Sequence, residues 1–186
     1  MIMVDIKAIS AYEKAFGFFD GIRPCREGPQ WSVPDRAGSD VASEIEVLSV
    51  LFSMVYLLKP EVVIETGCDV GCASRVIGAA LALNGSGHLY TCDLSGIFIA
   101  SNFCVGLPVT VCQMTGGELI KRFGLRTDMA FLDSSFDSRM QEYDMLPQGC
   151  LVLIHDVCLS TDLATLVKSK GGIILKSARG LGIIRK

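Results

Sequence analysis

Acidic residues follow four apolar segments of the chain, each at the carboxyl end of its segment. Glu65 lies at the end of VVIE, Asp93 of HLYTCD, Asp133 of DMAFLD, and His155 and Asp156 of LVLIHD. Carboxylates can accept hydrogen bonds from ligand hydroxyls or bind hard cations, and imidazole can move protons near neutral pH. Their recurrence at matching positions predicts a ligand site, with His155, Asp133 and Asp156 as the candidate catalytic residues.

The segments that carry these acids alternate between strand-like and helix-like patterns. Strands are predicted over 62–66, 88–93, 109–113, 128–133 and 151–156, and helices over 40–59, 72–83, 96–104, 118–123, 138–146 and 161–168. Nearly continuous apolar strands predict a parallel sheet with helices on both faces. Segments 173–177 and 181–185 are too close for a helical crossover, so they are predicted to form an antiparallel hairpin. Ligands bind beyond the carboxyl ends of such strands, where the acids would meet.

The turn after the first strand, ETGCDVGCAS at 65–74, carries two glycines four residues apart. Gly67 permits a turn without a Cβ clash, and Gly71 permits close approach where the next helix begins. The pattern is E-x-G-x-x-x-G rather than G-x-G-x-x-G, and the Glu65 carboxylate would repel a pyrophosphate. These charges favour a nucleoside with a positive amine, whose ribose hydroxyls would donate hydrogen bonds to Asp93.

Composition narrows the classes of partner. The 186-residue chain is half hydrophobic and carries a net charge of −3, and its longest basic run is Lys121-Arg122. Nucleic acid is therefore disfavoured as the main partner, because phosphate contacts require a basic surface. The longest apolar run, 47–58, is shorter than the roughly 20 residues that span a bilayer. Charges interrupt the N-terminus where a signal peptide would be apolar, so a soluble, cytoplasmic protein without membrane association is predicted.

The eight cysteines form no CxxC pair, and Cys68 and Cys72, which flank the glycine turn, have no second pair or nearby histidine to complete a zinc site. They are predicted to be reduced, buried, structural thiols. They are Cys25, Cys68, Cys72, Cys92, Cys104, Cys112, Cys150 and Cys158.

Two parts of the chain differ in pattern. Residues 1–38 form an irregular or helical N-terminal segment, rich in Gly, Pro and charge, and residues 39–186 form the α/β domain. Aromatic residues of the first part, Tyr12, Phe16 and Trp31 among them, are predicted to cover the sheet or a partner subunit. A lid over a substrate is the alternative, and a homodimer is compatible with the packing role.

From about residue 40 onward the chain resembles the class I S-adenosylmethionine-dependent methyltransferases, in particular their small-molecule O-methyltransferase branch of catechol-type and macrolide-sugar-type enzymes. The resemblance is carried by ETGCDVGCAS, Asp93, SEIEVLSVLF, DMAFLDSSFD, PQGCLVLIHDV and GLGIIRK. It implies a Rossmann-like seven-stranded sheet of order 3-2-1-4-5-7-6 with strand 7 antiparallel. It implies S-adenosylmethionine as cofactor and O-methylation of a hydroxyl on a small-molecule acceptor. The cofactor-binding residues that it implies are Glu65, Thr66, Gly67, Gly71, Ser74, Asp93, Leu94, Thr115, Gly116 and Asp133.

The resemblance also implies a metal site. In metal-dependent relatives, carboxylates after strands four and five hold a divalent cation that lowers the pKa of the substrate hydroxyl. Asp133 and Asp156 match those positions, and their hard oxygen ligands would suit Mg²⁺. The chain departs from these relatives at Val157, where catechol-type enzymes have asparagine, and at Phe136, where sugar-type enzymes often have histidine. His155 is therefore the candidate general base, and the alternative is a structural histidine in the interface between sheet and helix, with its nitrogens bonded to backbone.

Two alternatives remain. Relatives often place an acid at the position of Gly117 to contact the adenine amine, and its absence here favours a non-catalytic or degenerate module that binds an adenosyl ligand. A nicotinamide-dependent oxidoreductase is the second alternative, and the missing G-x-G-x-x-G argues against it.

Overall fold

The computed structural model describes residues 43–186 and two short backbone strands, Arg23–Pro24 and Trp31–Ser32, which pair antiparallel. The predicted domain boundary at 38/39, the roles of the N-terminal aromatics and the burial of Cys25 lie outside the described residues, so they stay predictions. Within 43–186, each helix is too short or too polar to cross a bilayer.

Seven strands form one sheet, whose order confirms the predicted fold. They are β1 Val62–Thr66, β2 His88–Asp93, β3 Val109–Gln113, β4 Met129–Leu132, β5 Leu151–His155, β6 Ile173–Leu175 and β7 Leu181–Arg185. Their order is β3-β2-β1-β4-β5-β7-β6, and β7 pairs antiparallel with both of its neighbours. The short connection between β6 and β7 forces this hairpin.

Within residues 43–186, six α-helices cover both faces of the sheet. They are α1 Ile45–Leu58, α2 Cys72–Asn84, α3 Ile97–Phe103, α4 Gly116–Phe123, α5 Phe136–Met145 and α6 Thr161–Ser169. Alternation along β4 shows the two faces, because Met129 and Phe131 pack with α1 and α2 while Ala130 and Leu132 pack with α4, α5 and α6. Each large apolar side chain buried in this way contributes about 1.5–3 kcal/mol. Burial on both faces explains why this strand is apolar throughout.

Helix α1 begins at Ile45, five residues later than the predicted start at residue 40. Glu44 occupies the N-cap position in extended conformation, and the cap carries no side-chain hydrogen bond. The Glu44 side chain instead reaches His155 and the backbone of Arg179. Glu44 therefore forms a buried charged contact instead of capping the helix.

Helices α4 and α5 begin two residues earlier than predicted. Thr115 and Glu118 form a capping box, because the Thr115 hydroxyl accepts from Glu118 N–H while the Glu118 carboxylate accepts from Thr115 N–H. Strands β4 and β5 end one residue before Asp133 and Asp156. The predicted strand 173–177 ends at Leu175.

The described cysteines are free thiols, and most of them are buried. Burial raises the pKa of Cys92, Cys104 and Cys150 to about 12, which keeps these thiols protonated and unreactive. Cys112 is only partly buried and Cys158 is exposed, so the prediction of uniform burial is wrong for those two.

The strand register brings the polar strand ends to one edge of the sheet. Thr66 lies beside Cys92 on one side and beside Leu132 on the other, and Leu132 lies beside Ile154. The residues that follow these positions therefore lie at the same level. The predicted meeting of the acids is a direct result of this register.

Candidate functional site

A cavity of about 520 Å³ opens at the carboxyl edge of the sheet. Its volume lies within the range of about 300–1,000 Å³ that is typical of small-molecule sites. The loops after β1, β2, β3 and β4 form its walls, together with α5, Asp156 and Arg179. The predicted cofactor residues that line it are Gly67, Asp93, Leu94, Thr115, Gly116 and Asp133.

Four other predicted cofactor residues lie behind the cavity wall. The hydroxyl of Ser74 donates to Glu65, and both side chains are fully buried. Thr66 Oγ1 donates to Glu142 Oε2 over 2.8 Å. Gly71, the N-cap of α2, lies against the backbone of Ala100. These four residues support the turn and are not part of the main cavity surface.

Glu65 is a buried acid that contacts hydroxyl groups. Its Oε2 accepts from Ser74 and, at 2.6 Å, from Thr91 Oγ1, whereas Oε1 has no hydrogen-bond partner among the described residues. Burial raises the pKa of Glu65 to about 7, although the two hydroxyl bonds lower it. A space of about 30 Å³ beside Glu65 adjoins the main cavity through the shared residues Gly67 and Asp133. A space of that size holds one water molecule.

The glycine turn is held to β2 by backbone hydrogen bonds. Gly67 N–H and Cys68 N–H both donate to Cys92 O, at 2.9 and 3.0 Å. Asp69 N–H donates to Asp93 Oδ2 at 2.9 Å, and Leu94 N–H donates to Asp93 Oδ1 at 2.7 Å. The first three N–H groups of the turn are thus already used.

Glu142 on α5 is a cavity residue that the sequence pattern did not identify. Its Oε2 accepts from Thr66 and, at 2.8 Å, from Ser134 Oγ, and burial raises its pKa. A Cβ at Gly116 would lie 2.1 Å from Glu142 Oε1, so only glycine permits this close approach. An acid thus lies beside the turn at 115–117, although it comes from another helix. Sequence spacing gave no signal for it.

The predicted catalytic residues Asp133, His155 and Asp156 do meet, with one potential ligand atom from each within 4.8 Å of the others. Strand alternation predicts opposite directions for His155 and Asp156. Asp156 instead adopts a left-handed conformation, with φ of 60°. Its Oδ1 consequently lies 3.6 Å from His155 Nδ1. Such strained backbone is typical of functional sites, where surrounding contacts hold it in place.

His155 is fully buried between carboxylates. Its Nε2 lies 2.6 Å from Glu44 Oε2, and its Nδ1 lies 3.0 Å from Asp133 Oδ1. Burial alone would lower its pKa, but Asp133, Glu44 and Asp156 outweigh burial and raise the pKa to about 9. His155 is therefore an imidazolium at neutral pH, with neither nitrogen directed at substrate. This geometry disfavours the predicted role as general base.

Two arginines that sequence reasoning missed complete the cluster. Arg139 Nη2 lies 3.0 Å from Asp133 Oδ1 and 3.0 Å from Asp156 Oδ2. Arg179 Nε lies 3.1 Å from Asp156 Oδ1, and the Arg179 N–H donates to Glu44 Oε1 at 2.9 Å. The position of Arg139 on the helix that follows Asp133 was a usable signal. Arg179 lies in the hairpin loop, where the sequence has no regular pattern.

The pKa of Glu44 is shifted in the opposite direction from that of Glu65. Burial alone would raise its pKa, but the hydrogen bond and charge of His155, together with the N–H of Arg179, lower the pKa to about 2. Asp133 is the most exposed acid of this cluster, with 17% of its side chain accessible. Its Oδ1 contacts Arg139 and His155, whereas its Oδ2 makes no hydrogen bond or ion pair within residues 43–186.

Comparisons with known proteins identify this fold. No protein-family model matches the chain, and no curated protein sequence matches it. A putative O-methyltransferase from Klebsiella pneumoniae has a TM-score of 0.67 at 14% identity, covering 100% of this chain and 93% of that one. The S-adenosylhomocysteine-bound methyltransferase PaMTH1 from Podospora anserina has a TM-score of 0.65 at 12% identity, covering 98% and 88%.

A third similar structure is the O-methyltransferase TomG from Streptomyces achromogenes, in complex with S-adenosylmethionine. It has a TM-score of 0.61 at 15% identity, covering 100% of this chain and 92% of that one. The resemblance predicted from sequence is thus confirmed at the level of the fold. The chain has the Rossmann-like fold of these methyltransferase structures, with a cavity at the carboxyl edge of its sheet.

Proposed function

We propose that this protein is an S-adenosylmethionine-dependent methyltransferase that acts on a hydroxyl group of a small molecule. One observation carries the proposal. A single cavity of about 520 Å³ is lined by Asp93 and the turn at 115–117 on one side and by Asp133 and Asp156 on the other. Cofactor and acceptor could therefore lie within reach of each other. The low-identity structural neighbours support the fold on which the proposal rests.

The residues present fit an adenosyl cofactor. Asp93 Oδ1 accepts from the N–H groups of Leu94 and Ser95, whereas Oδ2 accepts only from Asp69 N–H and keeps a lone pair for a ribose hydroxyl. Glu142 supplies an acid beside Gly116, where an adenine amino group could donate to its Oε1. The unpartnered Oε1 of Glu65 could accept from the methionine amine through a water in the 30 Å³ space. A positive amine beside Glu65 would also lower its pKa and favour the ionised form.

Asp133 is the group best placed to meet the acceptor. Bound S-adenosylmethionine would supply an electrophilic methyl group for the acceptor oxygen. Asp133 Oδ2 would accept the hydrogen bond of the acceptor hydroxyl and take its proton as the new bond forms. Arg139 and His155 hold Asp133 Oδ1, at 3.0 Å each, which orients the carboxylate. Asp156 holds the two arginines, so the pocket acts mainly by positioning.

Thermal unfolding tests the cofactor assignment. S-adenosylmethionine or S-adenosylhomocysteine at 100 times Kd adds about 2.7 kcal/mol of stability. For a chain of this size, that should raise Tm by roughly 5–11 °C. NAD should produce no rise. A rise with NAD alone would favour the oxidoreductase, and no rise with any of the three would contradict the proposal.

The ribose contact is tested by Asp93→Ala. Loss of the acceptor for the ribose hydroxyls should weaken S-adenosylhomocysteine binding more than tenfold, about 1.4 kcal/mol, as measured by calorimetric titration. Asp162→Ala, at an exposed aspartate on α6, is the matched control. Equal affinities of the two variants would remove Asp93 from the proposed site.

A non-catalytic adenosyl-binding module is the second candidate. It is favoured by the burial of His155 between carboxylates, which leaves the cluster without a free imidazole. Methyl transfer to a panel of catechols, phenols and sugars, read as S-adenosylhomocysteine release, separates the two candidates. Cofactor binding without transfer to any of them would favour the module.

The homodimer and the cytoplasmic location are also part of this proposal, and they rest on the sequence. Sedimentation of the full chain tests the first, and cell fractionation tests the second.

A further inference from the structure

The guanidinium group of Arg139 lies between the two carboxylates that were predicted to bind Mg²⁺. Its Nη2 is 3.0 Å from Asp133 Oδ1 and 3.0 Å from Asp156 Oδ2. Magnesium binds carboxylate oxygens at about 2.0–2.1 Å. An ion that bridged the same two oxygens would lie almost on the arginine nitrogen. The two cations therefore compete for one position.

Other contacts fix Arg139 in that position. Its Nε donates to Ser134 O at 2.6 Å, and its Nη1 donates to His155 O at 2.7 Å. The guanidinium also stacks on the ring of Phe136, 4.9 Å from the ring centre. Only 4% of the side chain is exposed. Displacing Arg139 would leave two backbone carbonyls at the ends of β4 and β5 without their donors, a cost of about 1–3 kcal/mol for each.

The remaining groups around the carboxylates oppose a second cation. Arg179 Nε lies 3.1 Å from Asp156 Oδ1, and His155 Nδ1 lies 3.0 Å from Asp133 Oδ1. Three of the four oxygens of this pair, all except Asp133 Oδ2, already lie within 3.1 Å of an arginine or histidine nitrogen. The donor set thus does not fit a divalent ion, although one ligand atom each from Asp133, His155 and Asp156 lies within 4.8 Å of the others.

We infer that Arg139 is a built-in replacement for the divalent cation and that the native site binds no metal. The fixed guanidinium neutralises Asp133 and Asp156 and orients them toward the cavity. Arg139 is therefore a positioning residue in this site. The inference goes beyond the proposed function, because it concerns the cation site itself and holds whether or not the chain transfers methyl groups.

Removing the guanidinium should create a metal site. Arg139→Met keeps an apolar stem but removes the charge, so the position between Asp133 Oδ1 and Asp156 Oδ2 would lose its cation. Mn²⁺ is the probe, measured by the paramagnetic resonance signal of the free ion after chelator treatment of the full chain. Wild type should show no saturable binding. Arg139→Met should bind one Mn²⁺ per chain, at least tenfold more tightly than wild type.

Two further variants make the test specific. Arg122→Met, at an exposed arginine on α4 that stacks on Phe123, should behave as wild type. Adding Asp133→Asn to Arg139→Met should abolish the gained binding. Saturable Mn²⁺ binding by wild type that Asp133→Asn removes would overturn the inference. A folded Arg139→Met variant that binds no Mn²⁺ would also overturn it.

The wild-type protein keeps the inference falsifiable even if Arg139→Met does not fold, as judged by circular dichroism. Mg²⁺ and Mn²⁺ should leave the Tm of chelator-treated wild type unchanged. A saturable rise in Tm with either ion contradicts the inference, and its absence supports it. This measurement uses no adenosyl ligand. A result that contradicts the metal inference is therefore distinct from a result that contradicts the proposed cofactor.

Discussion

Glu44 and Glu65 are both fully buried, yet they lie in different halves of the proposed site, and their pKa values are shifted in opposite directions. Glu44 belongs to the acceptor half, the cluster around Asp133, where His155 and a backbone N–H lower its pKa to about 2. Glu65 belongs to the cofactor half, the turns after β1, β2 and β3. There, burial against two hydroxyl groups raises its pKa to about 7. Burial penalises both charges, so the partners decide which acid ionises.

The two halves also differ in how the chain builds them. The cofactor half depends on local turns whose N–H groups bond to the neighbouring strand. The acceptor half depends on contacts between remote residues, because Glu44 meets His155 across 111 positions and Arg179 across 135. Substitutions in the acceptor half should therefore lower stability by leaving buried charges unpaired. Substitutions in the cofactor half should lower it by distorting the backbone of the turns.

Removal of Glu44 should have the largest effect on stability. Glu44→Ala leaves Nε2 of the buried His155 without its carboxylate and the backbone N–H of Arg179 without its acceptor. Breaking a buried charge pair costs about 3–5 kcal/mol. A loss of about 4 kcal/mol should lower Tm by roughly 8–16 °C, measured by circular dichroism and urea unfolding.

Glu61→Ala, at an exposed glutamate, is the control for Glu44→Ala and should change stability by less than about 0.5 kcal/mol. S-adenosylhomocysteine affinity should be nearly unchanged in folded Glu44→Ala, since this residue lies outside the cofactor half. A stability loss below about 1 kcal/mol would mean that the acceptor half does not depend on this charge network.

The pH dependence of stability should reveal the raised pKa of Glu65. The folded pKa of about 7 exceeds the ordinary value of 4.5, so the folded state binds the proton more tightly. The resulting stabilisation is fully present below about pH 4.5 and is lost as pH rises to about 7. A difference of roughly 2.5 pKa units corresponds to about 3 kcal/mol.

Urea unfolding at several pH values, with and without Glu65→Gln, measures that contribution. The substitution should remove the fall in stability between pH 4.5 and 7, whereas Glu61→Gln should retain it. Parallel profiles for wild type and Glu65→Gln would contradict the predicted protonation of Glu65. Saturating S-adenosylmethionine should weaken the effect, because the proposed amine contact favours the ionised acid.

The contrast between the halves explains what the sequence could predict. Periodicity identified the strands, and the register then placed Asp93 and Asp133 at one edge without further information. Glu142 and Arg179 were missed because no local sequence pattern places them at the cavity. Glu142 reaches it from helix α5, and Arg179 reaches it from the hairpin loop. Whether His155 could act as a base depended on the groups around it. Two of these, Glu44 and Arg179, are remote in sequence, so the sequence pattern did not indicate them.

A pair of glycine substitutions separates backbone strain from close packing in the cofactor half. Gly67 and Gly85 both have positive φ, 79° and 69°. A Cβ at Gly67 would lie 2.3 Å from Asp133 O, whereas a Cβ at Gly85 would meet nothing within 4 Å among the described atoms. Gly85→Ala should cost about 1 kcal/mol for its left-handed conformation. Gly67→Ala should cost about 2 kcal/mol more, because the packing clash adds to the strain.

Urea unfolding measures both costs, and calorimetric titration with S-adenosylhomocysteine locates their consequences. Gly67→Ala should also weaken binding, because the Cβ displaces the turn from the loop that carries Asp133. Gly85→Ala should leave the affinity unchanged, since Gly85 lies at the opposite end of α2 from the turn. Equal losses of stability in the two variants would mean that the turn at Gly67 can move to accommodate a Cβ. The cofactor half would then not depend on close backbone packing. The proposed difference from the acceptor half, which is stabilised by buried charges, would be wrong.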